Sequence, residues 1–243
     1  MGCLGKDDTG GKIKSLLENN QNITSQINEI DDYISTKKLR IISNSKHVLR
    51  VDFEEKLESG FSSSNKLRLD LKKSDVVIIS DYNKGFIKDI SAFLGECRST
   101  GIFTIVDPKS STFDKYRNAS IITPNLEEFH LVVGECNSQE ETDEKAYKLI
   151  SDLNLQGILL TKSSEGMSLY SNHKRQDLQA KTRDVTDVTG AGDTVVASFV
   201  FDFMIHSDLM KAAEFSNYCA GIAVSKFGTS SLSLKDIGSY YEK

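Results

Sequence analysis

From residue 75 onward four short apolar runs recur: Val76-Val77-Ile78-Ile79, Ile102-Phe103-Thr104-Ile105-Val106, Ser120-Ile121-Ile122-Thr123 and Ile158-Leu159-Leu160-Thr161. Between them lie longer stretches, over 87–100, 126–134 and 140–153. Short runs rich in β-branched residues suit buried strands, and the longer stretches suit helices. Their alternation predicts βαβ crossovers, and so an α/β fold with a mainly parallel sheet covered on both faces. In such sheets ligands collect beyond the carboxyl ends of the strands. Asp81, Asp107, Asn125 and Lys162 each stand at or just after the end of a run.

The chain before residue 75 has a different pattern. Residues 36–42 and 47–53 read as two strands around the polar turn Ser43-Asn44-Ser45-Lys46, a hairpin over about 37–53. Its basic residues, Lys38, Arg40 and Arg50, suit either a solvated edge guarded by charge or a lid over a phosphorylated substrate. Ser59-Gly60-Phe61-Ser62-Ser63-Ser64-Asn65 then reads as a linker back to the main sheet.

With 243 residues and 38% hydrophobic content the chain can bury a core. No run approaches the ~20 apolar residues of a membrane helix. Met1-Gly2 is followed by Lys6 where a myristoylation motif needs Ser or Thr. The four cysteines are widely spaced, without metal-ligand spacing or a disulfide framework, which points to reduced thiols in the cytoplasm. A net charge of −5 argues against an extended nucleic-acid surface.

The densest chemistry lies at Asp187-Val188-Thr189-Gly190-Ala191-Gly192-Asp193, followed at once by the apolar Thr194-Val195-Val196-Ala197-Ser198-Phe199-Val200. Two glycines flanking an alanine let backbone N–H groups approach an anion at the start of a helix. An aspartate would repel that anion, yet it suits a base that takes a proton from a hydroxyl attacking phosphorus. A plain capped helix remains the alternative for the glycines alone. Asn125-Leu126-Glu127-Glu128 likewise fits a helix cap with Glu128 as its third residue.

The full string 187–193 resembles the second signature of the ribokinase-like (PfkB-type) carbohydrate kinases, and Asn125-x-x-Glu128 resembles a further hallmark of that family. The resemblance implies a ribokinase-like three-layer fold, with Asp193 as catalytic base and the amides of Gly190, Ala191 and Gly192 as the anion hole. It implies ATP as phosphoryl donor, bordered by Asn125, Leu126, Glu127, Glu128, Lys109, Lys162, Gly166, Asn217 and Gly228. Mg²⁺ would be positioned by Glu128, through water.

Within that family, Ser80-Asp81-Tyr82-Asn83-Lys84-Gly85, Val106-Asp107-Pro108-Lys109 and Lys226-Phe227-Gly228-Thr229-Ser230 are similar to the branch of bacterial heptose 7-phosphate kinases. This implies a sugar-phosphate acceptor held by Lys38, Arg40, Asp81 and Lys84, for lipopolysaccharide core and ADP-heptose biosynthesis. Against the family pattern, the N-terminal strands and the Gly-Gly-Ala-x-Asn sugar motif are not found, and no His-x-Gly-His motif follows. The chain is therefore expected to be one N-terminally incomplete kinase domain over 1–243, with an exposed apolar sheet edge. Small molecules are its expected partners, with no nucleic acid and no membrane, and a homodimer through the lid or the sheet edge is open. The competing readings are a nucleotide-binding remnant with impaired catalysis and a kinase of another sugar.

Overall fold

A computed structural model describes residues 1–43, 46–57, 71, 73–181 and 185–241 of the chain. The linker expected over 59–65 and the tip of the hairpin turn, Asn44-Ser45, lie outside the described residues. By its contacts the chain divides into two compact units, Met1–Ser62 with Asn83–Lys88, and Ser63–Tyr82 with Asp89–Lys243.

The first unit opens with β1 (Gly2–Gly5), α1 (Asp8–Glu18) and β2 (Ile27–Ile30), and β1 pairs with β2 in parallel. Asp7 caps α1, accepting from the Gly10 N–H at 2.7 Å and from the Ser35 N–H at 2.9 Å. Then β3 (Lys37–Ser43) and β4 (Lys46–Phe53) form an antiparallel hairpin with a bulge between Ile41 and Ile42. Period-two alternation gives this hairpin two faces. Register sets Lys37, Leu39 and Ile41 opposite Phe53, Val51 and Leu49 on one face, and Lys38 and Arg40 opposite Asp52 and Arg50 on the other. Leu39, Ile41, Leu49 and Phe53 are 43–53% exposed.

In the second unit the expected βαβ order appears: β5 (Val76–Asp81), α2 (Ile90–Ser99), β6 (Phe103–Pro108), β7 (Ile121–Ile122), α3 (Leu126–Val133), α4 (Gln139–Leu153) and β8 (Gly157–Thr161). Strands β5 to β8 pair in parallel in sequence order. Then β9 (Met167–Ser171) and β10 (Lys174–Leu178) continue the sheet antiparallel, giving six strands in the order β10-β9-β8-β7-β6-β5. The chain closes with α5 (Ala191–His206), α6 (Leu209–Ser225) and α7 (Leu234–Tyr241). The expected helix over 87–100 is shorter, because Asp89 caps it by accepting from the Ala92 N–H at 3.0 Å. Similarly, only Ile121 and Ile122 of the run 120–123 form the strand.

Ile105, Ile121, Leu159 and Leu169 on the sheet pack against Val195, Val196, Phe199, Ala212 and Ala213 of α5 and α6. Along α5 Val195, Val196, Phe199 and Val200 are buried, whereas Phe201, Met204 and Ile205 are 43–57% exposed. The half-exposed Ile78 lies on β5, at one end of the sheet. Among the described residues no helix is long and apolar enough to cross a membrane.

Candidate functional site

A cavity of about 900 Å³ lies where residues at or after the carboxyl ends of β5 to β8 meet the start of α5. Tyr82, Asp107, Lys109, Asn125, Glu128 and Asp193 bring the polar chemistry, and Met167, Val185, Val188, Val195, Ala220 and Val224 form an apolar wall. The volume is within the usual range for a small-molecule site.

Gly190 caps α5 with φ +81°, a left-handed conformation that glycine adopts freely. A helix leaves its first N–H groups without intrahelical acceptors. The Ala191 N–H turns back to Val188 O at 3.2 Å, and the Thr194 N–H is the first to bond within the helix, to Gly190 O at 3.0 Å. Helix geometry thus frees the N–H groups of Gly192 and Asp193 for a ligand. Beyond its chain neighbours and its own helix backbone, a Cβ on Gly192 would meet nothing within 4 Å. The open space beside this cradle belongs to the cavity that Gly192 lines. Asp187, only 7% exposed, braces the loop from behind. Its carboxylate accepts from the Thr189 N–H at 2.9 Å and from the Gly228 N–H at 3.1 Å.

Asn125 and Glu128 do form the reciprocal cap of α3: the Glu128 N–H donates to Asn125 Oδ1 at 2.8 Å, and the Asn125 N–H to Glu128 Oε2 at 3.0 Å. The other carboxylate oxygen, Oε1, accepts from the Lys109 ammonium. Burial pulls that ammonium down, but the bond to Glu128 and the charges of Asp107 and Glu128 outweigh it and hold it above its ordinary value. Asp107, 7% exposed, is pushed from 3.8 up to about 6, first by burial and then by the negative charges of Glu128, Asp193 and Asp81, with Lys109 opposing. Three carboxylates therefore share the cavity with Lys109 and Lys181. Among the described residues no group of three or more His, Cys, Asp or Glu stands ready to hold a metal ion. A divalent ion here would take most of its ligands from water and phosphate, as Mg²⁺ commonly does.

The other expected site residues are spread more widely. Gly166 lines the cavity at φ +92°, where a Cβ would stand 2.0 Å from Leu178 O. Asn217 lines it too, but its side chain is 3% exposed and donates to Gln179 O at 2.7 Å. Gly228 contributes the N–H that Asp187 accepts. Lys162 faces a smaller groove of about 220 Å³ that Leu126 also lines, and it pairs with Asp177 at 3.4 Å. Glu127 is exposed on the first turn of α3. Asp81 accepts from the Tyr116 hydroxyl at 2.8 Å and pairs with Lys115 at 2.8 Å. In the first unit, Lys38 pairs with Asp52 at 3.5 Å, Lys84 pairs with Glu54 at 2.5 Å, and Arg40 stands opposite Arg50 in the hairpin register. Sequence reasoning placed Asp107 at a strand end where ligands collect but gave it no role, and it gave none to Tyr82, which nothing local marks.

The model of the pfkB family of carbohydrate kinases matches residues 1–236. The chain belongs to that family. The kinase is 37% identical over 240 residues to the bifunctional protein HldE of Haemophilus influenzae, covering 98% of this chain and 50% of that protein. It is also 37% identical over 235 residues to HldE of Shewanella piezotolerans, covering 96% and 49%. It thus spans about half the length of these curated relatives. Among solved structures, Arabidopsis thaliana ribokinase complexed with ribose and ATP superposes with a TM-score of 0.82 at 17% identity, over 98% of this chain and 80% of that one. Phosphofructokinase-2 of Escherichia coli superposes with a TM-score of 0.75 at 16% identity, over 99% and 80%. The kinase therefore has the ribokinase-like fold.

Proposed function

We propose that this kinase transfers the γ-phosphoryl group of ATP to a sugar phosphate, and that D-glycero-β-D-manno-heptose 7-phosphate is the acceptor, yielding the 1,7-bisphosphate. The observation that carries the reading is the placement of Asp193 on the first turn of α5, beside the glycine cradle and inside the cavity. A carboxylate there can take the proton of the sugar hydroxyl as it attacks phosphorus. The N–H groups of the cradle and the α5 dipole stabilise the charge on the transferred group. The Lys109 ammonium adds a positive charge to the same cavity. The apolar wall from Met167 to Val224 suits the face of an adenine. The oxygen-only donor set and the crowding of acids around Asp107 suit Mg²⁺, which Glu128 would hold through water. When bound, Mg²⁺ would neutralise phosphate charge.

Similarity to HldE over nearly the whole chain supports the heptose reading, together with the basic residues Lys38 and Arg40 on one hairpin face. The apolar face opposite, with Leu39, Ile41, Leu49 and Phe53, supports pairing of two copies through the hairpin. An assay of ADP release with heptose 7-phosphate, ribose and fructose 6-phosphate tests the substrate, and faster turnover of either rival would overturn it. Loss of a positioned base costs about 10²–10⁴-fold in rate, so Asp193→Asn should lose that much turnover while still binding ATP. Ordinary turnover by this variant would remove Asp193 as the base.

A further inference from the structure

Residues 226–233, between α6 and α7, belong to no helix or strand, yet they support the glycine cradle. The Gly228 N–H donates to Asp187 Oδ2 at 3.1 Å, while Asp187 Oδ1 accepts from the Thr189 N–H at 2.9 Å. The Thr229 methyl stands over Gly190, where an added Cβ would lie 3.1 Å from it. From α6, Val224 O accepts the N–H groups of Thr186 and Asp187 at 2.7 and 3.1 Å. One carboxylate ties both ends of this irregular stretch. Asp236 Oδ1 accepts from the Lys226 ammonium at 2.8 Å, and Oδ2 accepts from the Ser233 N–H at 2.8 Å and the Ser233 hydroxyl at 2.7 Å. The Ser233 bonds alone would be an ordinary cap of α7. The bond to Lys226 is more than a cap, because it reaches back to the end of α6. A lone exposed ion pair contributes little, but here the two side chains are only 35% and 28% exposed and three bonds close a short loop. The bond from Lys226 first, then those from Ser233, hold the Asp236 carboxyl well below the usual carboxylate range, so the tie is intact at neutral pH.

We propose that Asp236 is a positioning residue for phosphoryl transfer: by tying Lys226 to Ser233 it holds the Gly228 N–H on Asp187, and through Asp187 it fixes where the cradle N–H groups point. The inference rests on the reading of the cradle as the seat of the transferred phosphoryl group. Asp236 is not among the residues that line the cavity, so it acts only by placing those that do. Backbone donors stabilise a transition state only where they are aimed at its developing charge. A misplacement of about 1 Å can cost on the order of 100-fold in rate. A loosened cradle should therefore act on kcat and leave the KM for the sugar acceptor alone.

The test compares the full chain with Asp236→Ala, with Lys226→Met, which opens the same tie from its other end, and with Tyr241→Phe. The last removes the hydroxyl that donates to Asp202 at 2.7 Å, so it loosens the far end of α7 and spares the tie. Hydrogen exchange read by NMR follows the Gly228 N–H without any turnover. Its exchange should quicken about tenfold or more in Asp236→Ala and Lys226→Met, and stay within about twofold in Tyr241→Phe. With the acceptor that the full chain turns over fastest, kcat should fall about 10–100-fold in the first two variants, at an acceptor KM within about twofold. Tyr241→Phe should keep its kcat, which separates the tie from a general need for a docked α7. Unchanged exchange at Gly228, unchanged kcat, or an equal loss of kcat in Tyr241→Phe overturns the inference. If Asp236→Ala does not fold, Lys226→Met decides alone. The cradle has its own check, since Mg-ATP should shift the Gly192 and Asp193 amide signals of the full chain. If they shift while an overturning result is found, Asp236 alone is misassigned. If they stay, the cradle reading falls and the role of Asp236 falls with it.

Discussion

Replacing Asp107 by Asn should make the ligand-free protein more stable, and by an amount that depends on pH. The native carboxyl titrates at about 6 instead of 3.8, so the folded state holds its proton over a range where the unfolded chain has released it. Stability therefore falls as pH rises from about 4 to about 6 and levels off above. At 1.36 kcal/mol per pH unit the full cost is about 3 kcal/mol at pH 8, and linkage leaves about half of it at pH 5. Asn keeps the shape and removes the charge. For a chain of this size, about 2–4 °C per kcal/mol translates the pH 8 gain into a melting temperature roughly 6–12 °C higher. Thermal melts of both proteins at pH 5 and pH 8, without nucleotide and with a chelator present, measure the difference. An equal gain at both pH values, or a loss at pH 8, would refute the argument that burial and like charge strain this carboxylate.

Three shorter predictions follow from the same structure. Arg40→Met should raise the KM for the sugar phosphate at least tenfold more than the KM for ATP, by about 1.4 kcal/mol of differential binding; equal effects in steady-state kinetics would remove the hairpin from the acceptor site. Gly166→Ala should destabilise by about 2 kcal/mol or more, because the methyl would meet Leu178 O at 2.0 Å in a backbone conformation of φ +92°; an unchanged melting temperature would contradict the crowding. Leu49→Glu places a charge on the apolar hairpin face and should shift the sedimentation of the protein from dimer to monomer, whereas a monomer before the change would dismiss the pairing.

The parallel half of the main sheet was legible because its strands are dense in β-branched residues, whereas the cap signals of its crossovers, Asp89 and Ser138, went unread and left the helix over 87–100 too long. The element β1, with sequence Gly2-Cys3-Leu4-Gly5, carries no such density, and α1 contains Gly10 and Gly11, poor helix formers. Lys174-Arg175-Gln176-Asp177-Leu178 likewise reads as loop, and becomes a strand only by pairing with β9. The cradle was legible as a contiguous string. What stayed hidden required three dimensions. Asp107, Glu128 and Asp193 share one cavity although up to 86 positions separate them (193 − 107). Lys162 turns instead toward Asp177, a partner that only the β9–β10 turn brings near.

Glu128 has no idle oxygen. Oε2 closes the cap of α3, and Oε1 is already engaged by Lys109. A divalent cation drawing on this carboxylate would therefore compete with an ammonium group, and its arrival is an exchange of one positive charge for another. Polyphosphate changes the balance, since it offers Lys109 an alternative anion. If Glu128 holds the cation as proposed, the order of events would be ruled by the nucleotide: free cation would bind weakly, and the carboxylate would become available only once nucleotide had drawn the lysine away. The protein would then take up its two charged ligands as one unit, with the lysine as the placeholder that is displaced.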